Sequence, residues 1–289
     1  MSTTPTEPNR RRLALVAGRT TTHPNEAPNT EIAQWDSEFT AGIVDKVKPL
    51  VKRYFRSEVR GMAHMPRGKA LVVSNHSGGA LTPDVLVFCT AFYAKFGYQR
   101  PVFTLAHNQV YLGPFADWLP RAGVIRANRE SAALALQSNG VVLVFPGGDF
   151  DSYRPTSARN TIDFNGRTGY VRTAIEAHAP IVPVVSIGAQ EGQLFLTRGE
   201  GIAKTLGLDR LRVKILPISI GFPFGPSVLI LPPNLPLPTK IVTQVLKPIY
   251  VTRKFGKNPD VKEVDAYVRN VMQSALDELA EQRRFPIIG

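Results

Sequence analysis

Four short, unbroken apolar runs recur along the chain: Ala70-Leu71-Val72-Val73-Ser74, Pro101-Val102-Phe103-Thr104-Leu105, Val141-Val142-Leu143-Val144-Phe145 and Ile181-Val182-Pro183-Val184-Val185-Ser186. A strand that is apolar without alternation is covered on both faces, and such strands lie inside sheets flanked by helices. Helical patterns fill the intervals, at Asp84 to Phe96, Glu130 to Gln137 and Gly166 to His178. Strand, helix, strand in series gives parallel pairing, because parallel neighbours need a long crossover. The expected fold is therefore α/β, a largely parallel central sheet flanked by helices, built as a single domain. A strand at Gly123-Val124-Ile125 and a short helix around Pro114 to Leu119 complete this region. In an open sheet of this kind, functional loops stand at strand ends.

The flanks read differently. Residues 1–28, rich in Thr, Pro, Asn and Arg, are expected to form a disordered basic arm. Over residues 29–56, Phe39, Ile43, Val47, Leu50 or Val51, and Tyr54 share one face of an amphipathic helix, with Lys46, Lys48, Lys52, Arg53 and Arg56 on the remainder. Such a helix either lies in a membrane interface with its cations on lipid phosphates or docks on its own domain. Pro49 implies a break in it. The main domain is expected over 57–255, and 256–289 as a C-terminal helix docked on it, amphipathic from Asp260 to Arg284. Residues 215–238 are apolar but interrupted by Pro and Gly, which suits edge strands and turns or the wall of an acyl-chain groove.

A net charge of +12 attracts polyanions, but it is spread along the chain and does not interleave with aromatics on one element, as a nucleic-acid surface would. Nucleic acid is not an expected partner; a basic membrane- or nucleic-acid-binding protein stands as the non-enzymatic alternative. The single cysteine, Cys89, lies in an apolar run, reads as a small buried hydrophobe and permits no disulfide. No apolar stretch reaches the length of a spanning helix. Leu13 to Gly18, after Arg10-Arg11-Arg12, is too short for an export signal. The expected location is cytoplasmic, peripheral to the inner face of the cell membrane. There is no Gly-x-Ser-x-Gly, no phosphate-binding loop and no dinucleotide fingerprint, and the five histidines show no metal-ligand spacing. Neither a metal nor a cofactor is expected.

The chemistry concentrates in Ser74-Asn75-His76-Ser77-Gly78-Gly79-Ala80-Leu81-Thr82-Pro83-Asp84. A buried strand ends in Asn-His, a glycine loop follows, and Thr82-Pro83 supplies an N-cap and a first helical residue. A histidine there can take a proton from an alcohol if a carboxylate holds its other ring nitrogen. Asp84 is the nearest in sequence. Three further blocks follow in order: Gly123-Val124-Ile125-Arg126-Ala127-Asn128-Arg129, Val144-Phe145-Pro146-Gly147-Gly148-Asp149, and Ala179-Pro180-Ile181-Val182-Pro183-Val184.

In these four ordered blocks, over roughly residues 57–190, the chain resembles the glycerolipid acyltransferases, the family of lysophosphatidic acid and related lysophospholipid acyltransferases. The resemblance implies transfer of a fatty acyl group from acyl-CoA or acyl carrier protein to the hydroxyl of 1-acylglycerol-3-phosphate or another lysophospholipid, on an anionic membrane surface. His76 would be the general base and Asp84 its orienting partner. Arg129 matches the family's acceptor-binding arginine, and Arg126, Arg154 and Arg159 lie near the same motifs. Backbone amides at Gly78-Gly79 or Gly147-Gly148 would hold the oxyanion. Two departures stand out. Seven residues separate His76 from Asp84 where the family has four, which makes Asp149 and Asp151 rival partners. Gly147 replaces the family's glutamate, a change that looks more like the branch acylating neutral glycerides or alcohols, including the diacylglycerol acyltransferases.

Overall fold

The computed structural model describes residues 28–208 and 214–285. The arm expected before the first helix falls outside them but for Pro28. Along the chain the elements are α1 (Pro28–Ala33), α2 (Ser37–Pro49), β1 (Glu58–Arg60), β2 (Ala70–Ser74), α3 (Pro83–Phe96), β3 (Val102–Ala106), β4 (Val124–Arg126), α4 (Arg129–Gln137), β5 (Val141–Val144) and α5 (Gly148–Ser152). There follow α6 (Gly169–Glu176), β6 (Ile181–Ile187), β7 (Leu194–Thr197), α7 (Glu200–Thr205), β8 (Ile218–Gly221), β9 (Gly225–Val228), β10 (Val242–Val245), α8 (Val251–Phe255) and α9 (Val261–Glu281).

The main sheet runs β1-β10-β6-β2-β5-β3-β4. From β6 to β4 every pair is parallel, and β10 joins β6 antiparallel. The apolar runs occupy this parallel core, and strand pleating sends alternate residues to opposite faces. Leu71, Val73, Val142, Ile181 and Val185 meet Ala132 and Ala135 of α4, Val171 of α6 and Val268 and Met272 of α9. Ala70, Val72, Leu143, Val182 and Val184 meet Val44 of α2 and Phe88 and Phe92 of α3. Both faces of the central strands are thus spent on helices. The chain passes from β2 over β5 to β3, so the strand order reverses beside β2 and opens a crevice at the carboxyl ends of β2, β5 and β6.

The region expected as one helix over 29–56 is divided. α1 ends at Ala33 and Asp36 caps α2, its side chain accepting from the amide of Phe39 at 2.9 Å. After Pro49 the helix widens into a π-type turn over Leu50–Tyr54, the irregularity expected where a proline removes a backbone donor. Thr40, Val44, Val51 and Phe55 are buried against the domain: Val51 is on the face expected from the sequence, and the other three lie one position beyond Phe39, Ile43 and Tyr54. The short helix expected around Pro114 to Leu119 is a single 3-10 turn over Ala116–Trp118. Residues 215–238 contribute β8 and β9, which with β7 make a separate three-stranded antiparallel sheet. Among the described residues no helix is long and apolar enough to cross a membrane.

Candidate active site

His76 stands two residues past the end of β2, with its side chain 14% exposed. Its Nδ1 lies 3.0 Å from Oδ2 of Asp84, whose carboxylate is 2% exposed. The same Oδ2 accepts from the amide of Ser77 at 3.0 Å, and Oδ1 accepts from the amide of Val85 at 3.1 Å. Asp84 is therefore fixed by the main chain on both oxygens, and the carboxylate requires Nδ1 to carry the ring proton. The lone pair then resides on Nε2. Phe145, one residue past β5, stacks on the imidazole with centroids 4.2 Å apart and an interplanar angle of 29°. Ring tilt is set on one side by a hydrogen bond and on the other by an aromatic plane.

The longer spacing is absorbed in the glycine loop. Gly78 and Gly79 have φ of 88° and 66°, conformations that L side chains rarely adopt, and they let the loop bulge before Pro83 opens α3. Thr82 occupies the N-cap position but, at φ 39° and ψ 56°, makes no side-chain cap bond, contrary to the expectation that it would cap α3.

The rival carboxylates have other partners. Asp149 is half-exposed and pairs with Arg167 at 3.1 Å. Asp151 is fully buried and reaches His76 from below, its Oδ2 accepting from the amide of His76 at 2.5 Å. Its other oxygen is paired with Arg154. Two aspartates thus converge on one histidine, one on the ring and one on the backbone. Gly147 makes room for this, since a Cβ there would stand 2.9 Å from Cγ of Asp151 and 3.0 Å from the carbonyl oxygen of Asp163. No side chain, glutamate included, fits at that position while Asp151 holds its place.

The remaining expected residues divide by accessibility. Arg154 is 1% exposed, so its guanidinium is a structural counter-charge to Asp151 and not a ligand contact. Burial lowers its pKa to about 10, which leaves it cationic at neutral pH. Arg126 is paired with Glu31 of α1 and lies 4.5 Å from the Tyr111 ring, tying the N-terminal helix to β4. Arg129 is exposed and pairs with Glu176 at 2.5 Å. Arg159 contacts Glu191 at 3.1 Å. Of the four glycine amides expected to serve an oxyanion, Gly78 donates to Oε1 of Gln190 at 2.9 Å and Gly148 to the carbonyl of Phe145 at 3.0 Å, so both are occupied.

Several residues of the site escape a reading of the sequence alone. Asn75 clamps β2 to β6, donating to the carbonyl of Ser186 at 2.9 Å and accepting from its amide at 2.8 Å. Gln190 bridges the amide of Gly78 and the carbonyl of Arg154. The hydroxyl of Ser152 donates to the carbonyl of Gly79 at 2.6 Å. Gln190 lies just past the end of β6, where the strand-end rule points, but its type carries no signal of its own.

An open, mostly parallel sheet with a carboxylate-held histidine at its strand ends is an arrangement that can take up a proton at Nε2. The comparisons with known proteins make the class specific. A model of the acyltransferase family matches residues 56–187. An uncharacterised protein of Mycobacterium tuberculosis is 31% identical over 266 residues, which span 88% of this chain and 70% of its own length. The mouse protein named DGAT1/2-independent enzyme synthesizing storage lipids is 29% identical over 57% of this chain and 49% of its own. Among solved structures, the LPA acyltransferase PlsC from Thermotoga maritima superimposes with a TM-score of 0.52, covering 85% of this chain and 83% of its own at 16% identity, a likeness of fold. The chain belongs to the acyltransferase family.

Proposed function

We propose that this acyltransferase moves a fatty acyl group from a thioester, acyl-CoA or acyl carrier protein, to a hydroxyl of a glycerolipid, with His76 as general base. The observation that carries the reading is the 3.0 Å contact between Nδ1 of His76 and Asp84, which commits the lone pair to Nε2. Nε2 takes the proton of the acceptor hydroxyl as that oxygen attacks the thioester carbonyl. Asp84 stabilises the imidazolium that forms, and the amides of Gly79 and Gly147 are the donors left for the oxyanion. Collapse of the tetrahedral intermediate breaks the carbon–sulfur bond, and the imidazolium returns its proton to the departing thiolate. Ester and thiol leave with histidine restored, and no acyl-enzyme is formed.

The acceptor is a neutral glyceride in this reading. A phosphate would call for a free, planar arginine fork, whereas Arg126 and Arg154 are already committed to buried carboxylates. The storage-lipid activity in the name of the mouse relative accords with this. Arg129 supports a second reading: its pair with Glu176 is exposed, such pairs are worth about 0–1 kcal/mol, and its side chain could turn to a lysophospholipid phosphate.

The test offers monoacylglycerol, diacylglycerol and lysophosphatidic acid separately with labelled acyl-CoA. Ester formation on the neutral acceptors is expected, and His76→Ala or Asp84→Asn should lower the rate roughly 10²- to 10⁴-fold. Transfer to lysophosphatidic acid alone, abolished by Arg129→Ala, would establish the second acceptor. Full activity in His76→Ala would sink the mechanism.

A further inference from the structure

The three-stranded sheet is inside out. In an antiparallel sheet with one solvated face, polar side chains point outward and apolar ones inward. Here the register places Phe195, Ser219 and Ser227 side by side, and both serines are buried, Ser219 at 4% exposure. On the opposite face Leu194 lies across from Ile220, with Leu196 and Val228 beside them, all four exposed. The loops that leave this sheet continue the pattern, with Phe224 at 58% and Leu231 at 69% exposure. From Ile215 to Thr239 the sequence contains no Asp, Glu, Lys, Arg or His.

We propose that this face is the membrane-docking surface of the protein, seated in the interface of an anionic lipid bilayer. Charge selects the occupant. The uncharged segment is bounded by Lys214 and Lys240, and Arg56 donates to the carbonyl of Pro238 at 2.7 Å on its border. An apolar platform whose segment begins and ends in a lysine, Lys240 lying 3.8 Å from Glu58, matches acyl chains beneath phosphate headgroups. A second copy of the chain is disfavoured, because it would bring two bodies of net charge +12 together. The depth is limited as well. Strands of an open sheet keep unpaired edge groups, which water or headgroups must satisfy, so the sheet lies in the interface and does not enter the hydrocarbon.

The inner face of the same sheet touches the catalytic loop. A Cβ at Gly79 would stand 3.0 Å from Cζ of Phe195, and the amide of Phe195 donates to Oγ1 of Thr156 at 2.9 Å. Docking through this sheet therefore sets the His76 loop beside the bilayer that holds the acceptor, a consequence that rests on the acyl-transfer reading although the docking itself does not. Of the two alternatives for the region 29–56, Val44 and Val51 take the one in which it docks on its own domain, which leaves the small sheet as the apolar face for a membrane.

Purified protein is sedimented with sucrose-loaded vesicles of phosphatidylcholine alone or mixed equally with phosphatidylglycerol, with no acyl donor present. Binding to the mixed vesicles is expected, and Leu196→Asp/Phe224→Asp should weaken it by about tenfold or more. Leu112→Asp, at a still more exposed apolar residue outside the sheet, should leave binding unchanged. Phe224→Trp keeps the face apolar and should be quenched by brominated phosphatidylcholine, which keeps the test open if the double variant melts early. Unaltered binding of a folded double variant, or an unquenched Trp at position 224, overturns the proposal. So does a dimer in gel filtration that the double variant dissociates while vesicle binding persists, which would make the face a self-association surface. Transfer to a short-chain, water-soluble acceptor reports the catalytic site separately, so loss of docking and loss of chemistry are distinguishable.

Discussion

At the scale of single residues, Asp151 links stability and chemistry. Removing one partner of a buried ion pair leaves an uncompensated charge and costs about 3–5 kcal/mol, whereas replacing both by apolar groups is close to neutral. Asp151→Asn should therefore lower the melting temperature markedly and the transfer rate with it. Asp151→Asn/Arg154→Met should recover much of the stability in a thermal melt but not the rate, because the amide of His76 has lost its carboxylate anchor. Recovery of both together would reduce Asp151 to a purely structural residue. Asp84 was legible as a partner from its place in the first helical turn after a histidine. Asp151 was legible only as a rival for the ring, since its partners are a backbone amide and the buried Arg154, and nothing in a residue's type announces the first.

Among elements, α9 shows what patterning can specify. Val264, Val268, Met272, Ala275, Leu276 and Leu279 recur at helical spacing and are buried, and Asp260 caps the helix by accepting from the amides of Lys262 at 2.7 Å and Glu263 at 3.0 Å. Those amides hold the Asp260 carboxyl below its ordinary value of 3.8. A carboxylate with a depressed folded-state pKa contributes stability that is present above the unfolded value and is lost as pH falls through the folded one. Asp260→Asn should accordingly flatten the acid side of the stability–pH curve below about pH 4, as read by denaturant titration at several pH values. The parallel strands were equally plain, because a strand covered on both faces has no polar positions to obscure it. The short strands β1, β7 and β10 were not. They are three or four residues long, and their pairing depends on partners far away in sequence. The division of the N-terminal helix was half legible: Pro49 announced its break, but the cap at Asp36 fell inside a run that still had helical period.

For the whole molecule, the small sheet and the main sheet answer to different solvents. The main sheet buries apolar residues on both sides, and the second presents them outward, so one hydropathy rule cannot describe both. That is why residues 215–238 read as either edge strands or a groove wall, and the sequence had no means of telling which face would turn outward. The site also depends on contacts that span the chain. His76 is held by Asp151, Gly78 by Gln190, and Asn75 by Ser186. A fragment ending before β6 would lack the central neighbour of β2, and should show no cooperative thermal transition where the full chain shows one.

These long-range clamps impose a timetable. Contacts between residues distant in sequence form slowly, since the intervening chain must be closed first. During synthesis His76 and Asp84 emerge long before Asp151 and Gln190, so the growing chain carries the pair without the backbone anchor, the loop clamp or the neighbouring strand that hold it in place. The His76 site is thereby assembled only when the sixth strand has joined the sheet.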